Sequence, residues 1–415
     1  MPSDDLSPDE LSTDVVAPDV VSPDVVPPTP AEALRAFREF ARDTLRGHDA
    51  EFDSGAEPPL ELYRPLHKQG LLNWWLPAEY GGAGLGLADS VDIVSELAYA
   101  DAGSAFTLLI SILGSSMVRL YGSPELKERY LTAMTREPGY ASALGSEREA
   151  GSELINLTTT LTRRGDQVVL DGEKMFSTNS GFADFMVVFA KEAGAKGVAS
   201  YRAVLVPRGT PGAQVVKRWD MIGLRSAGTY QVRFTDCAVP AGNVLDGPGL
   251  KIIEVGLNSS RILIAAIALG VSRRIRDLCL EYAIGKPLGG HKLIENAVFA
   301  SKIGQMEMQI EVMRNQCLAA AREYDEVMAL PDPAREFLQR GALRSSLTAK
   351  MFCGQTGWQI ATVGSEMFGG LGYTNDMPIS KYLRDIRAVT IVEAGDDVLR
   401  ELVFRRFVLP SNRRI

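Results

Sequence analysis

The 415-residue chain predicts an α+β protein: an N-terminal helical domain, a central antiparallel β-barrel or sandwich, and a C-terminal helical bundle. Three observations carry this. Apolar residues recur at three- and four-residue steps over 31–136; short alternating β-branched runs fill 137–247; helical periodicity returns at 248 and holds to 415. The succession is too discontinuous for a Rossmann unit, and no GxGxxG follows a strand.

Residues 1–30 are acidic, repetitive and rich in proline (DVVAPDVVSPDVVPPTP). Proline forbids a continuing helix and few bulky side chains are available to bury, so this segment reads as a disordered tail. In AEALRAFREFARDTL, Leu34, Phe37, Phe40, Ala41 and Leu45 share one helix face. LADSVDIVSELAYA and SAFTLLISILGSSMVRLYG continue the helical style, preceded by the glycine-rich loop LPAEYGGAGLG. SPELKERYLTAM opens with Ser123 as N-cap and Glu125 in the first turn, where the helix dipole favours a carboxylate.

The β region reads as QVVLDGEKMF, FMVVFAKE, YRAVLVP, AQVVKRW and YQVRFTDCAV, separated by Gly, Asp and Pro turns. Beyond Gly249 the helices are longer than those at the N-terminus. The longest apolar run, ILIAAIALGV at 262–271, falls short of the roughly 20 residues that span a bilayer. With no basic-then-apolar start, the expectation is a cytoplasmic protein without a membrane anchor.

Composition narrows the chemistry. Forty-four Lys and Arg against 52 Asp and Glu give a net charge of −8, and no basic cluster tracks a phosphate backbone, so nucleic acid is not an expected partner. Cys237, Cys279, Cys317 and Cys353 form no CxxC pair, and His48, His67 and His291 lie near no ligand cluster. Zinc sites, disulfide frameworks and imidazole triads are therefore poor expectations, and no metal is predicted.

Two loops at the rim of the β region, EREAGSELINL (147–157) and KMFSTNSGFAD (174–184), set small hydroxyl residues beside glycine. Such loops serve as ordinary β-turns, or offer backbone N–H groups and short donors to a flat, electron-poor ring. Together with LPAEYGGAGLG, YGSPELKERYL, WDMIGLRSAGTYQVRFTDCAVP, LNSSRILIAAIALG, MFGGLGY and LRDIRAVTIVEAG, they resemble the acyl-CoA dehydrogenase family over nearly everything after the tail. The resemblance implies flavin adenine dinucleotide (FAD) between the three domains. It implies an acyl-CoA or acyl carrier protein substrate and an electron acceptor, either electron-transfer flavoprotein or oxygen. It also implies a homodimer or homotetramer.

By the same resemblance, Ser146, Ser152, Phe176, Ser177 and Thr178 fall where the family cradles the flavin. Phe176 stands where a tryptophan usually packs on the ring. Glu393 stands where the family carries its catalytic base. A thioester α-hydrogen is a poor acid, so the base must be a carboxylate made stronger by burial. Val389, Ile391 and Val392 precede Glu393 in what reads as an apolar, strand-like approach, and Asp396 and Asp397 would open the helix that follows. Without the family match, the favoured reading of Glu393 is one more acid at that helix start. Some relatives place the base one residue before the arginine that is here Arg261; this chain has Ser260. Arg261 is expected at the thioester end of the site, as a brace for the Glu393 loop, or as a helix cap.

The chain departs from the family pattern where the FAD pyrophosphate of a neighbouring subunit is held. Lys286 replaces an arginine, Gly289 and Gly290 replace a Phe-Gly pair, and Ala297 replaces a glutamine. Glu366 replaces the glutamine before Gly369 and Gly370. After the base, Gly-Thr becomes Ala394-Gly395. The expected activity is α,β-dehydrogenation of an acyl thioester, with a carrier-protein-bound acyl group suggested by this drift. Two rivals remain: a flavin monooxygenase hydroxylating an amine, separated by NAD(P)H-driven oxygen uptake, and a flavin-free scaffold, separated by absorbance near 450 nm, where oxidised flavin absorbs.

Overall fold

The computed structural model describes residues 27–55 and 57–410. Most of the predicted tail lies outside them. The Thr29 hydroxyl caps α1 (Pro30–Phe40) while Glu32 reaches back to the Thr29 N–H, a reciprocal capping box. Phe37, Phe40, Ala41 and Leu45 are buried along the predicted face, and Leu34 is half-buried. Two short helices follow, α2 (Asp49–Asp53) and α3 (Arg64–Lys68), then α4 (Leu87–Ala100), α5 (Ala102–Tyr121) and α6 (Pro124–Arg136). Ser123 caps α6 through Leu126 N–H.

The central strands are β1 (Ala141–Leu144), β2 (Thr160–Arg164), β3 (Gln167–Thr178), β4 (Phe185–Glu192), β5 (Tyr201–Pro207), β6 (Ala213–Arg218) and β7 (Thr229–Pro240). They form one sheet in the order β1-β4-β2-β3-β7-β6, with β5 also paired to β4. The sheet is mixed rather than wholly antiparallel: β1 and β2 both run parallel to β4. Alternation in sequence reports which face a residue takes, not strand direction. The β2–β3 hairpin between β1 and β4 supplies a connection long enough for a parallel return. β1 and β2 are also too short and polar to stand out from the sequence alone.

Strand β4 is buried on both faces, which explains its unbroken apolar run. Phe185, Val187 and Phe189 join the core shared with the helices, whereas Met186, Val188 and Ala190 join a core enclosed by the sheet.

After the sheet come α7 (Gly249–Gly285), a hairpin of β8 (Pro287–Leu288) and β9 (His291–Lys292), α8 (Ala297–Met328), α9 (Pro333–Arg340), α10 (Arg344–Met367), α11 (Ile379–Arg387) and α12 (Asp396–Val403). Gly289 and Gly290 make the hairpin turn at φ +60° and +87°, which glycine adopts without strain. Helices α5 and α7 are each apolar over a membrane-spanning length, beyond what the ten-residue run suggested. Their apolar windows are 94% and 89% buried inside the protein, so that apolarity is used in core packing. Gly270 shows how closely α7 meets α4: a Cβ there would stand 2.3 Å from the Ser95 carbonyl oxygen.

Candidate active site

Helices α5 and α7, the sheet and the α11–α12 connection enclose a cavity of about 720 Å³, within the range of small-molecule sites. Phe106, Ile110, Leu113, Ile253 and Leu257 make part of its wall apolar. Glu393 and Arg261 line it, as do Ser146, Ser152, Phe176 and Thr178, so one space unites six of the predicted site residues.

Glu393 does not arrive on a strand. Helix α11 ends in a single 3-10 turn (Ala388–Thr390), because Ile391 and Val392 both donate to the Ala388 carbonyl and tighten the chain. Val389 is buried but Ile391 is exposed, so the approach is only partly apolar in surroundings. Glu393 and Ala394 then adopt φ +53° and +78°. Left-handed backbone costs an ordinary residue about 1–2 kcal/mol, and here two take it consecutively. This reversal turns the Glu393 side chain onto α7.

Two buried cations hold the reversal. Arg261 donates to the Glu393 carbonyl oxygen from Nε at 3.2 Å and from Nη2 at 3.0 Å. Lys350 of α10 donates to the Ala394 carbonyl oxygen at 2.7 Å and faces Asp396 Oδ1 at 3.4 Å. Ser260 Oγ donates to Glu393 Oε1, while Oε2 is buried with no hydrogen-bond partner. Burial pushes the Glu393 carboxyl up to about 7, against the lowering effects of Ser260, Arg261 and Lys350. Burial likewise pulls the Lys350 ammonium down to about 8, with Asp396 opposing. Gly395 is the N-cap residue of α12 and does not line the cavity; Asp396 and Asp397 lie in the first turn of α12.

At the β rim, Phe176 sits at φ +51° in a register shift between β3 and β7, and its ring is 58% exposed. It packs on Trp219 with ring centroids 4.8 Å apart and planes 30° from parallel. The buried Trp219 indole N–H has no partner. Thr178 Oγ1 lies 3.1 Å from Thr229 Oγ1. Ser177 differs from its expectation: it is buried outside the cavity wall, with Oγ donating to the Met175 carbonyl at 3.4 Å. A strand turns neighbours to opposite sides, so Phe176 and Thr178 face the cavity without Ser177.

Lys286, Gly369 and Gly370 do not line the cavity either; all three are exposed, Lys286 at the end of α7 and the glycines beyond α10. Glu366 is exposed too and forms a long ion pair with Lys302 at 3.8 Å.

Sequence reasoning passed over several residues that build this site. Lys174 is wholly buried and bonds Glu147 Oε1 at 2.8 Å and the Gly145 carbonyl at 3.1 Å. Glu147 also accepts from Thr158 N–H at 2.6 Å and Thr159 N–H at 3.1 Å, which fixes the loop that carries Ser146 and Ser152. Burial alone would raise Glu147, but Lys174 and the threonines outweigh it and bring it down to about 2. A second buried cluster joins Lys381 to Asp101 at 2.7 Å and Asp385 at 2.6 Å. Asp101 accepts from Ser226 Oγ at 2.5 Å and Asp385 from Leu224 N–H at 2.7 Å, which anchors the cavity-lining segment 221–224. The available signal was a lone lysine inside an apolar helical pattern, at Lys350 in LTAKMFCG.

The fold agrees with family comparisons. Residues 29–138 match the N-terminal domain of acyl-CoA dehydrogenases, 142–237 the middle domain and 247–408 the C-terminal domain. The chain belongs to the acyl-CoA dehydrogenase family. This is a family of flavoprotein oxidoreductases acting on CH–CH bonds. The probable acyl-CoA dehydrogenase FadE25 of Mycobacterium tuberculosis is 27% identical over 376 residues, covering 90% of this chain and 94% of the relative. The butyryl-CoA dehydrogenase structure from Megasphaera elsdenii superposes with a TM-score of 0.84 at 27% identity, covering 92% and 98% of the two chains. The prolyl acyl carrier protein oxidase AnaB shares the fold, with a TM-score of 0.83 at 23% identity over 92% and 99%.

The cavity residues suit the family's flavin. The exposed Phe176 ring beside Trp219 offers a face for a planar heterocycle, and Ser146, Ser152 and Thr178 offer short polar groups around it.

Proposed function

We propose that this chain is an FAD-dependent acyl-thioester dehydrogenase that removes the α-proton with Glu393. The observation that carries the reading is a cavity-lining carboxylate with one unpartnered oxygen and a proton affinity raised to about 7. A base held near the working pH takes a proton without being permanently protonated. Phe176, with Ser146, Ser152 and Thr178, would hold the flavin, which would supply the hydride acceptor for the β-hydrogen.

The chain's own residues do the rest. The apolar wall from α5 and α7 excludes water around the acyl group, which keeps Glu393 basic. Arg261 and Lys350 hold the loop so that the carboxylate meets the α-carbon without reorganising. A monooxygenase needs no buried base, so the environment of Glu393 favours desaturation.

Lys286, Gly369, Gly370 and Gly395 lie off the cavity in this chain; the first three are assigned to the FAD tail of a neighbouring copy. The exposed apolar side chains of Met308 and Val312 on α8 and Phe352 on α10 support a homodimer or homotetramer. The substrate is carried on CoA or on an acyl carrier protein in the cytosol, and electron-transfer flavoprotein or oxygen would serve as the final electron acceptor.

The test is anaerobic flavin bleaching at 450 nm with a panel of acyl-CoA and acyl-carrier substrates. Native protein should bleach with at least one. Glu393→Gln should stay yellow and folded but bleach at least about a thousandfold more slowly. Undiminished bleaching in that variant would refute the assignment.

A further inference from the structure

Adjacent residues of α7 hold different parts of Glu393. Arg261 takes its backbone carbonyl, and Ser260 takes its side chain through Oε1. Ser260 has no exposure, so water does not replace its hydroxyl. With Arg261 holding the Glu393–Ala394 peptide and Lys350 the Ala394–Gly395 peptide, the main chain is fixed and the freedom left is in the side-chain torsions of Glu393. The Ser260 hydrogen bond removes that freedom and makes the two oxygens unequal. Oε1 is engaged, whereas Oε2 is buried and accepts nothing.

We propose that Ser260 is a positioning residue that ties down Oε1 of Glu393 and so holds the carboxylate in the orientation from which it takes the substrate proton. The proposal rests on Glu393 being the base. In the step, the α-carbon–hydrogen bond breaks and an oxygen–hydrogen bond forms on the Glu393 carboxylate. The freed electron pair enters the α,β double bond as the β-hydrogen leaves as hydride to the flavin.

A hydroxyl that donates to a carboxylate stabilises its charged form, so Ser260 also moderates a base that burial alone would leave too proton-avid. The other charges facing Glu393 are Arg261 from α7 and Lys350 from α10, with Asp396 of α12 beside Lys350. Glu254 and Arg406 bear on Arg261 from further along the cavity wall. None of these donates a hydrogen bond to either carboxylate oxygen, among the described residues. Ser260 is therefore the group whose removal changes the carboxylate directly.

Two readouts on the FAD-loaded protein test this. The carboxyl stretch of Glu393, assigned by its loss in Glu393→Gln, is titrated by infrared difference spectroscopy. Flavin reduction is followed in single turnover with the acyl substrate that bleaches the native protein. Ser260→Ala should raise the titration midpoint by about one pH unit. It should also slow reduction by about tenfold or more while changing substrate affinity less than twofold. Ser260→Thr, which retains the hydroxyl, should restore both. An unchanged midpoint in Ser260→Ala, or a Thr variant no better than Ala, would overturn the proposal, because a merely space-filling serine predicts those results. Failure of the base assignment has a separate signature: rapid reduction in Glu393→Gln, whatever Ser260→Ala does to the titration.

Discussion

The Lys350 ammonium stands 2.7 Å from the Ala394 carbonyl oxygen, joining the middle of α10 to the turn after the proposed base. Its side chain is fully buried and Asp396 is its nearest anion. Lys350→Met should therefore cost about 2–4 kcal/mol, since the Ala394 carbonyl loses its side-chain donor and a mostly buried carboxylate loses its counter-charge. Denaturant titration measures this. The same variant should raise the midpoint of the Glu393 titration, because one of the cations that favours the ionised carboxylate is gone.

Ala394 holds φ +78°, where the family places glycine. Ala394→Gly should stabilise the protein by about 1 kcal/mol, because glycine takes left-handed backbone without the Cβ clash. Part of that gain is offset by the larger freedom glycine restores to the unfolded chain. A rise in melting temperature checks the prediction, and a fall of comparable size would show that the Ala394 methyl packs usefully.

Glu393 should also weaken the fold at high pH. The folded protein keeps its proton up to about pH 7, whereas an ordinary glutamate releases it near 4.5. Between those values the folded state binds more protons, so this contribution is fully present below 4.5 and lost as pH rises through 7. The span corresponds to up to about 3 kcal/mol. Glu393→Gln should thus be more stable than the native chain at pH 8 and lose that advantage by pH 5. Paired melting curves at the two pH values test it.

The Lys174–Glu147 pair should behave in the opposite sense. Glu147 is held down at about 2, so its contribution is present above 4.5 and is lost as pH falls towards 2. Glu147→Gln strands a buried ammonium, and Lys174→Met strands a buried carboxylate. Each should cost about 3–5 kcal/mol, and the double variant should cost less than the sum. A double-mutant cycle by calorimetry gives the coupling.

The sequence showed the architecture well where one face of an element is apolar. The five strands read from alternation all form, and the long helices after Gly249 do too. Direction was not legible: β1 and β2 run parallel to β4, and a two-residue period is identical for either pairing. Around Glu393, the apolar Val389, Ile391 and Val392 suit a strand, but Val389 lies in a 3-10 turn and Ile391 and Val392 both fold back onto the Ala388 carbonyl. Phe176 and Thr178 line the cavity and Ser177 does not, as the two-residue alternation of a strand requires, whereas a motif groups all three together. Ser260 looked like an empty position when compared with relatives, and only the fold brings it against a residue 133 places later. Buried pairs such as Lys381 with Asp101, 280 residues apart, leave no local pattern.

Helix α7 runs 37 residues without a break, a length of about 55 Å at 1.5 Å per residue. Ser260 and Arg261 sit on its first half, and Lys286 just beyond its end. A single rod of this kind fixes angle as well as distance. One residue inserted between Ser272 and Cys279 would rotate everything beyond it by about 100°. The Glu393 contacts and the Lys286 hairpin therefore share one phase. Their spacing can be altered by whole turns but not by single residues, so drift at the Lys286 end is confined to substitutions, the form its departures from the family pattern take.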